Sequence, residues 1–276
     1  MKILGHIRQK SGFSLIEIAI VLVIVSVLIT IVAVPMSAQR ELSHRTETSK
    51  QLELAKEAIV GFALANGRLP CPALVSGTCT TGRECFCSEQ TAISGACTST
   101  TTKPSPYIGR CAAFGTTANS LSVGFLPAAT LGISPTDDNG FAIDGYGTNA
   151  NLIYYAVSRY PAVGLNFALT NDDGIKNATM ATVSAASPLL TVCPTSTLNC
   201  TTANSLTSLA PFVVFSLGDN AAAPFASLSA KEQANLDNDT SHIFVSGTKD
   251  DTFDDILTWG SINTIFGRMV QAGKLP

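Results

Sequence analysis

Residues Phe13–Val34 form an apolar run broken by one charge, Glu17, and Ile18 to Val34 carries none. At about 1.5 Å per residue this run makes a helix about 33 Å long, enough to span a hydrocarbon core of about 30 Å. Such a segment belongs in a bilayer or in the interior of an assembly. The stretch ahead of it, Met1–Gly12, holds Lys2, Arg8 and Lys10 and no carboxylate, which places it on the cytoplasmic side. An ordinary secretory signal ends in a small-residue cleavage site behind its apolar run. Here Val34-Pro35-Met36-Ser37-Ala38 leads straight into charged residues, and the polar-to-apolar break lies in front, at Gly12-Phe13-Ser14-Leu15-Ile16-Glu17.

Leader charge, Gly-Phe junction, placed glutamate and apolar length together resemble the class III signal of type IV pilins and type II secretion pseudopilins. The resemblance implies that a prepilin peptidase cuts after Gly12 and that the new N-terminal Phe13 is N-methylated. It also implies that Glu17 pairs with the N-terminal amine of a neighbouring subunit. A lone carboxylate in a bilayer costs about 2.5–3.5 kcal/mol on insertion scales, so a pairing that neutralises it only in register also sets assembly geometry. The implied partners are other pilin or pseudopilin subunits, the peptidase/N-methyltransferase and an inner-membrane assembly platform. The implied location is the bacterial inner membrane, single-pass with the C-terminal domain periplasmic, and then an extracytoplasmic filament. Removal of the leader would leave a chain large for a major subunit, which favours a minor one. The presence of Glu17 argues against the tip member that lacks it.

Helical spacing continues through residues 35–66, where Leu52, Ala55, Ile59, Phe62 and Ala63 recur every three or four positions and the charges from Arg40 to Glu57 lie elsewhere. Pro35 is expected to kink or locally melt this helix, Asn66-Gly67 to end it, and Pro70 to prevent its restart. The expected fold class is α+β and pilin-like: a long N-terminal helix, transmembrane in its first half, packed on a small antiparallel sheet with a disulfide-rich insert. The domain organisation follows as leader 1–12, apolar helix 13–34, amphipathic continuation 35–66 and globular domain 67–276, with the insert at 71–111.

Cys71, Cys79, Cys85, Cys87, Cys97 and Cys111 crowd this insert. Cys85-Phe86-Cys87 has the wrong spacing for a zinc site, and histidines occur only at positions 6, 44 and 242. Exported cysteines at this density read as disulfides, with Cys85 and Cys87 bonded elsewhere rather than to each other. Six cysteines allow 15 pairings, and spacing does not choose among them. Cys193 and Cys200 fit a separate local loop. The insert is expected to be a stapled surface loop.

Beyond the insert, Asn151–Arg159, Pro211–Leu217, His242–Ser246 and Ile256–Trp259 read as strands and Ile262–Gln271 as a helix. Asp144-Gly145-Tyr146-Gly147 is a turn ahead of the first strand, resembling in degenerate form the Asp-Pro-Trp-Gly turn of major pseudopilins. Asp237, Asp239, Asp250, Asp251, Asp254 and Asp255 flank the strand at Phe244. Hard oxygen donors at that density suit Ca²⁺, although the EF-hand spacing is absent. No cofactor is required; calcium is the one expected as an optional ligand.

Only 13% of the residues are charged, against about 25% in an average domain, and the net charge is −3. Between Cys111 and Ala230 the cations are Arg159 and Lys176 alone, so no basic stripe exists to follow a nucleic-acid backbone. No nucleophile motif or phosphate-binding loop is present, and no catalytic residue is expected. The leading expectation is a structural subunit of a type IV pilus or type II secretion pseudopilus. Its competitors are a filament-displayed adhesin or binding module using the Cys-rich insert, and a membrane-anchored periplasmic enzyme using the aspartates.

Overall fold

The computed structural model describes residues 14–75, 78–87, 99–103, 111, 121–147, 151–158, 169–179, 183, 189–194, 200–201, 203–236 and 243–275. It divides into two units, Met1–Ser43 and His44–Pro276. One helix, α1 (Leu15–Asn66), carries the chain through both. It is helical across Pro35, so the local melting expected there does not occur; the backbone ladder on either side holds the turn that the proline weakens. From Leu15 to Ile29 its apolar side chains are exposed, and the side chains of residues 30–38 lie outside the described set. Among the described residues no helix is long and apolar enough to cross a membrane.

In the His44–Pro276 unit, α1 buries Leu52, Ala55, Ile59 and Ala63 along one face. Gly67, in the left-handed region at φ 68°, ends the helix with its N–H on the Ala63 carbonyl at 2.8 Å. Two short strands, β1 (Phe86–Cys87) and β2 (Ser99–Thr100), pair within the insert. β3 (Leu121–Phe125) is followed by one helical turn, α2 (Ala128–Leu131). β4 (Tyr154–Ser158), the short α3 (Gly174–Asn177), β5 (Leu190–Pro194), β6 (Thr207–Ala210) and β7 (Phe212–Ser216) follow. The chain closes with α4 (Ala230–Leu236), β8 (Ile243–Ser246), β9 (Ile256–Trp259) and α5 (Ile262–Gln271).

Strands β3-β4-β7-β9 form an antiparallel sheet. Every residue of β7 is buried, and alternation explains how. Phe212 and Val214 point toward α1 and α5, with Tyr155, Val157, Ile262, Ile265 and Met269. Val213 and Phe215 point the other way, onto Leu190, Val192 and Phe244 of a second sheet, β6-β5-β8. A strand covered on both faces needs the continuous apolar run that 211–217 supplies. The expected sheet of four strands is present with a different membership. β8 leaves it to pair in parallel with β5, and β3, unannounced by the sequence pattern, takes the place. Residue pairing across a sheet is decided by packing against distant segments, and a four-residue apolar run fits either sheet.

The insert is rooted more deeply than a surface loop. Cys71 bonds Cys111 and Cys79 bonds Cys85, and these four sulfurs are buried with Leu74 and Phe86. Cys87 is disulfide-bonded as well, and Cys97 lies outside the described residues. Arg68, at the foot of α1, donates to Glu84 at 2.6 and 3.0 Å while Glu84 Oε1 accepts the Cys71 N–H at 2.7 Å. The Arg68 guanidinium lies over the rings of Phe62 and Phe86. This buried pair ties the insert's first disulfide to the helix end. The described ends of the insert therefore belong to the packed interior, because the bonded sulfurs and Phe86 bury against one another. Cys193 and Cys200 close their own loop as expected.

Candidate functional site

Two regions concentrate chemistry. The first is the start of α1. Gly12 and Phe13 lie outside the described residues. Glu17 stands in the first helical turn, its N–H on the Ser14 carbonyl at 3.0 Å, and is solvent-exposed between the exposed side chains of Ile16 and Ile18. It is thus the one charged side chain on a helical surface from Leu15 to Ile29 that is apolar apart from Ser26.

The second is an acidic cleft of about 500 Å³, lined by residues of the Gly218–Asn220 turn, α4 and the β8–β9 loop. Glu232 and Asp254 line it, and one oxygen from each of Glu232, Asp254 and the neighbouring Asp255 lies within 4.8 Å of the others, with all three side chains buried. Local sequence explains each placement. Ser229 and Glu232 form a capping box at the start of α4: Glu232 N–H reaches Ser229 Oγ at 3.3 Å, and Ser229 N–H reaches Glu232 Oε2 at 2.8 Å. Glu232 Oε1 accepts from Asn220 Nδ2 at 2.8 Å. Asp254 Oδ2 caps the Gly218 turn through the Asp219 N–H at 2.8 Å. Gly218 is at φ 69°, and a Cβ there would stand 2.7 Å from that same carboxylate, so the close approach requires glycine. Asp255 Oδ2 accepts from Asn235 Nδ2 at 2.6 Å; Asn235 also brackets β8 through both main-chain groups of Val245.

What these bonds leave over is informative. Asp254 Oδ1, Asp255 Oδ1 and Asn220 Oδ1 are buried with no hydrogen-bond partner, with Asp254 only 7% and Asp255 2% exposed. An unsatisfied buried oxygen costs about 1–3 kcal/mol, more when charged, and three at one place amount to an unmet demand for positive charge. Burial, together with repulsion from Glu232 and Asp254, pushes the Asp255 carboxyl up to about 7, against the Asn235 hydrogen bond and the charge of Arg45. Burial, then the Glu232 carboxylate, raises Asp254. The donors are all oxygens, and two oxygens on opposite sides of a Ca²⁺ ion stand about 5 Å apart, so the 4.8 Å span fits a hard divalent cation.

Of the six aspartates singled out by sequence, the structure brings Asp254 and Asp255 together. Asp250 and Asp251 line the mouth of the cleft. Asp250 is engaged there by the Thr252 N–H and hydroxyl at 2.7 and 2.8 Å and by Lys231 at 3.3 Å. Asp237 and Asp239 lie outside the described residues. Glu232, Asn220 and Asn235 were missed. Ser229-Ala230-Lys231-Glu232 carries the capping-box signature that could have marked α4 and its glutamate.

Residues 7–33 match the family described as the prokaryotic N-terminal methylation motif. This is the class III signal, consistent with a type IV pilin or pseudopilin, and its start spans the Gly12-Phe13 junction. No curated protein and no solved structure matches the chain.

Proposed function

We propose that the chain is a structural subunit of a type IV pilus or type II secretion pseudopilus, with the size of a minor subunit. It is inserted in the inner membrane, cut after Gly12 by prepilin peptidase, methylated on Phe13 and drawn into a filament through α1. The observation that carries this reading is the methylation motif at residues 7–33 coinciding with one exposed carboxylate, Glu17, on an exposed apolar helical surface. Packing of such surfaces against copies of themselves stabilises by about 25 cal/mol per Å² of apolar area withdrawn from water, while within lipid close side-chain packing takes over that role, and Glu17 fixes the register because a desolvated carboxylate needs a cation beside it. The globular unit has no catalytic part in this reading.

The acidic cluster holds a hard divalent cation. Glu232, Asp254 and Asp255 supply charge and Asn220 an amide oxygen, and the ion when bound neutralises three crowded carboxylates, two of which line the cleft. Calcium suits an oxygen set that is completed by water from the open side.

A Glu17→Ala variant tests the filament reading. It should be inserted and cleaved like the parent, yet be depleted at least about tenfold from sheared filaments, the equivalent of about 1.4 kcal/mol per contact. Normal incorporation would contradict the pairing.

A further inference from the structure

Two hydrogen-bonded routes lead from the acidic cluster to one stretch of α1. The direct one is Arg45, whose Nη1 donates to the Asp254 carbonyl at 2.8 Å. The second runs through the Gly218 turn. Gly218 N–H donates to Ser216 Oγ at 3.1 Å, and the Ser216 hydroxyl donates to Asp144 Oδ2 at 2.5 Å. The next residue, Gly145, gives its N–H to Thr48 Oγ1 at 3.0 Å, and its carbonyl accepts from His44 Nδ1 at 2.6 Å. Tyr146 stacks on the His44 ring, centroids 5.2 Å apart. His44, Arg45 and Thr48 all belong to the first turn and a half of helix inside the His44–Pro276 unit. In that stretch Thr48 is buried, and His44 and Arg45 are half-buried.

We propose that the cluster is a cation-operated latch on α1. With a divalent cation on Glu232, Asn220, Asp254 and Asp255, the β8–β9 loop and the Gly218 turn are fixed to each other. The main-chain groups that grip Arg45 and, through Asp144 and Gly145, His44 and Thr48 are then fixed as well. Without the cation the crowded carboxylates repel, the loop relaxes away from α4, and residues 44–48 open more often. The latch rests on the cation reading of the cluster and adds to it a consequence for the helix. Coupling of this kind is reciprocal: whatever the cation gives to the helix contact, the contact returns to cation affinity.

The test is hydrogen exchange of the full chain in detergent micelles with Ca²⁺, with Mg²⁺ and with chelator, alongside calorimetric titration of the same sample with Ca²⁺. At ten times Kd, exchange governed by openings that break the site should slow by about tenfold, at residues 250–258 and equally at 44–50. Asp255→Asn should lose both the heat of binding and the slowing. Arg45→Gln should still bind Ca²⁺, more weakly, and should keep the slowing at 250–258 while losing much of it at 44–50; His44→Ala cuts the second route and should act in the same direction. Slowing confined to the loop, or undiminished at 44–50 in Arg45→Gln, overturns the latch and leaves the cation site. No heat at millimolar Ca²⁺ overturns the site and the latch together and leaves the filament reading, which stands on residues 7–33.

Discussion

Asp144 and Gly145 show how much can rest on two adjacent residues. A Cβ on Gly145 would lie 2.5 Å from the His44 carbonyl oxygen and 2.9 Å from Thr48 N, so the turn reaches the surface of α1 only because no side chain intervenes. Asp144 is buried behind it, accepting from Ser216 and from the Tyr146 N–H at 2.8 Å. Burial outweighs these hydrogen bonds and holds its carboxyl above the ordinary aspartate range. Since the folded-state value exceeds the unfolded one, the contribution of Asp144 to stability is fully present below the unfolded pKa and is lost as pH rises through the folded one. Against an Asp144→Asn variant, the parent should therefore lose stability as pH rises from the ordinary aspartate value of about 4 through the raised value of the folded state, measured as the difference in urea midpoints; a difference independent of pH would contradict this. The turn itself was legible in Asp144-Gly145-Tyr146-Gly147. Its importance was not, because the partners His44 and Thr48 lie about a hundred positions away in sequence, and no local pattern encodes such a contact.

At the scale of elements, the apolar face of α1 and the continuous apolar run of β7 were readable from long patterns, and β9 and α5 from shorter or weaker ones. β3 and α4 were not. Leu121–Phe125 carries a glycine inside a five-residue run, and α4 spans seven residues, too short for a hydrophobic period to register. The acidic cluster failed to resolve for a related reason. Its density pointed to the right loop, but charge density cannot separate Asp254 and Asp255, turned inward, from Asp250, turned toward Lys231. The disulfides make a quantitative case at this scale. In the chain-entropy picture, the 40-residue separation of Cys71 and Cys111 constrains the unfolded chain by about 4 kcal/mol. The seven-residue separation of Cys193 and Cys200 constrains it by about 2 kcal/mol. Paired Ser substitutions should reproduce that order in denaturant midpoints. Equal losses would mean that native-state packing of the sulfurs, rather than loop closure, sets the stabilisation.

For the whole molecule, the low charge separates into two contributions. Part of the apolar excess sits in one run, Phe13–Val34, and the sequence beyond it is rich in uncharged polar residues, Thr, Ser and Asn, and in Gly. Loss of residues 1–12 removes three cations and no carboxylate, taking the side-chain net charge from −3 to −6, so the processed chain is still less suited to a polyanion. Filament assembly as proposed depends on that processing. In the proposed reading, cleavage after Gly12 would free the Phe13 amine that pairs with Glu17 of a neighbouring subunit, and a retained leader would leave no such amine. Intact mass and N-terminal peptide analysis of the chain isolated from membranes with an active prepilin peptidase addresses this directly. The predicted species begins at Phe13 and carries one added methyl group on its amine. A chain that retains Met1–Gly12 under those conditions would contradict it.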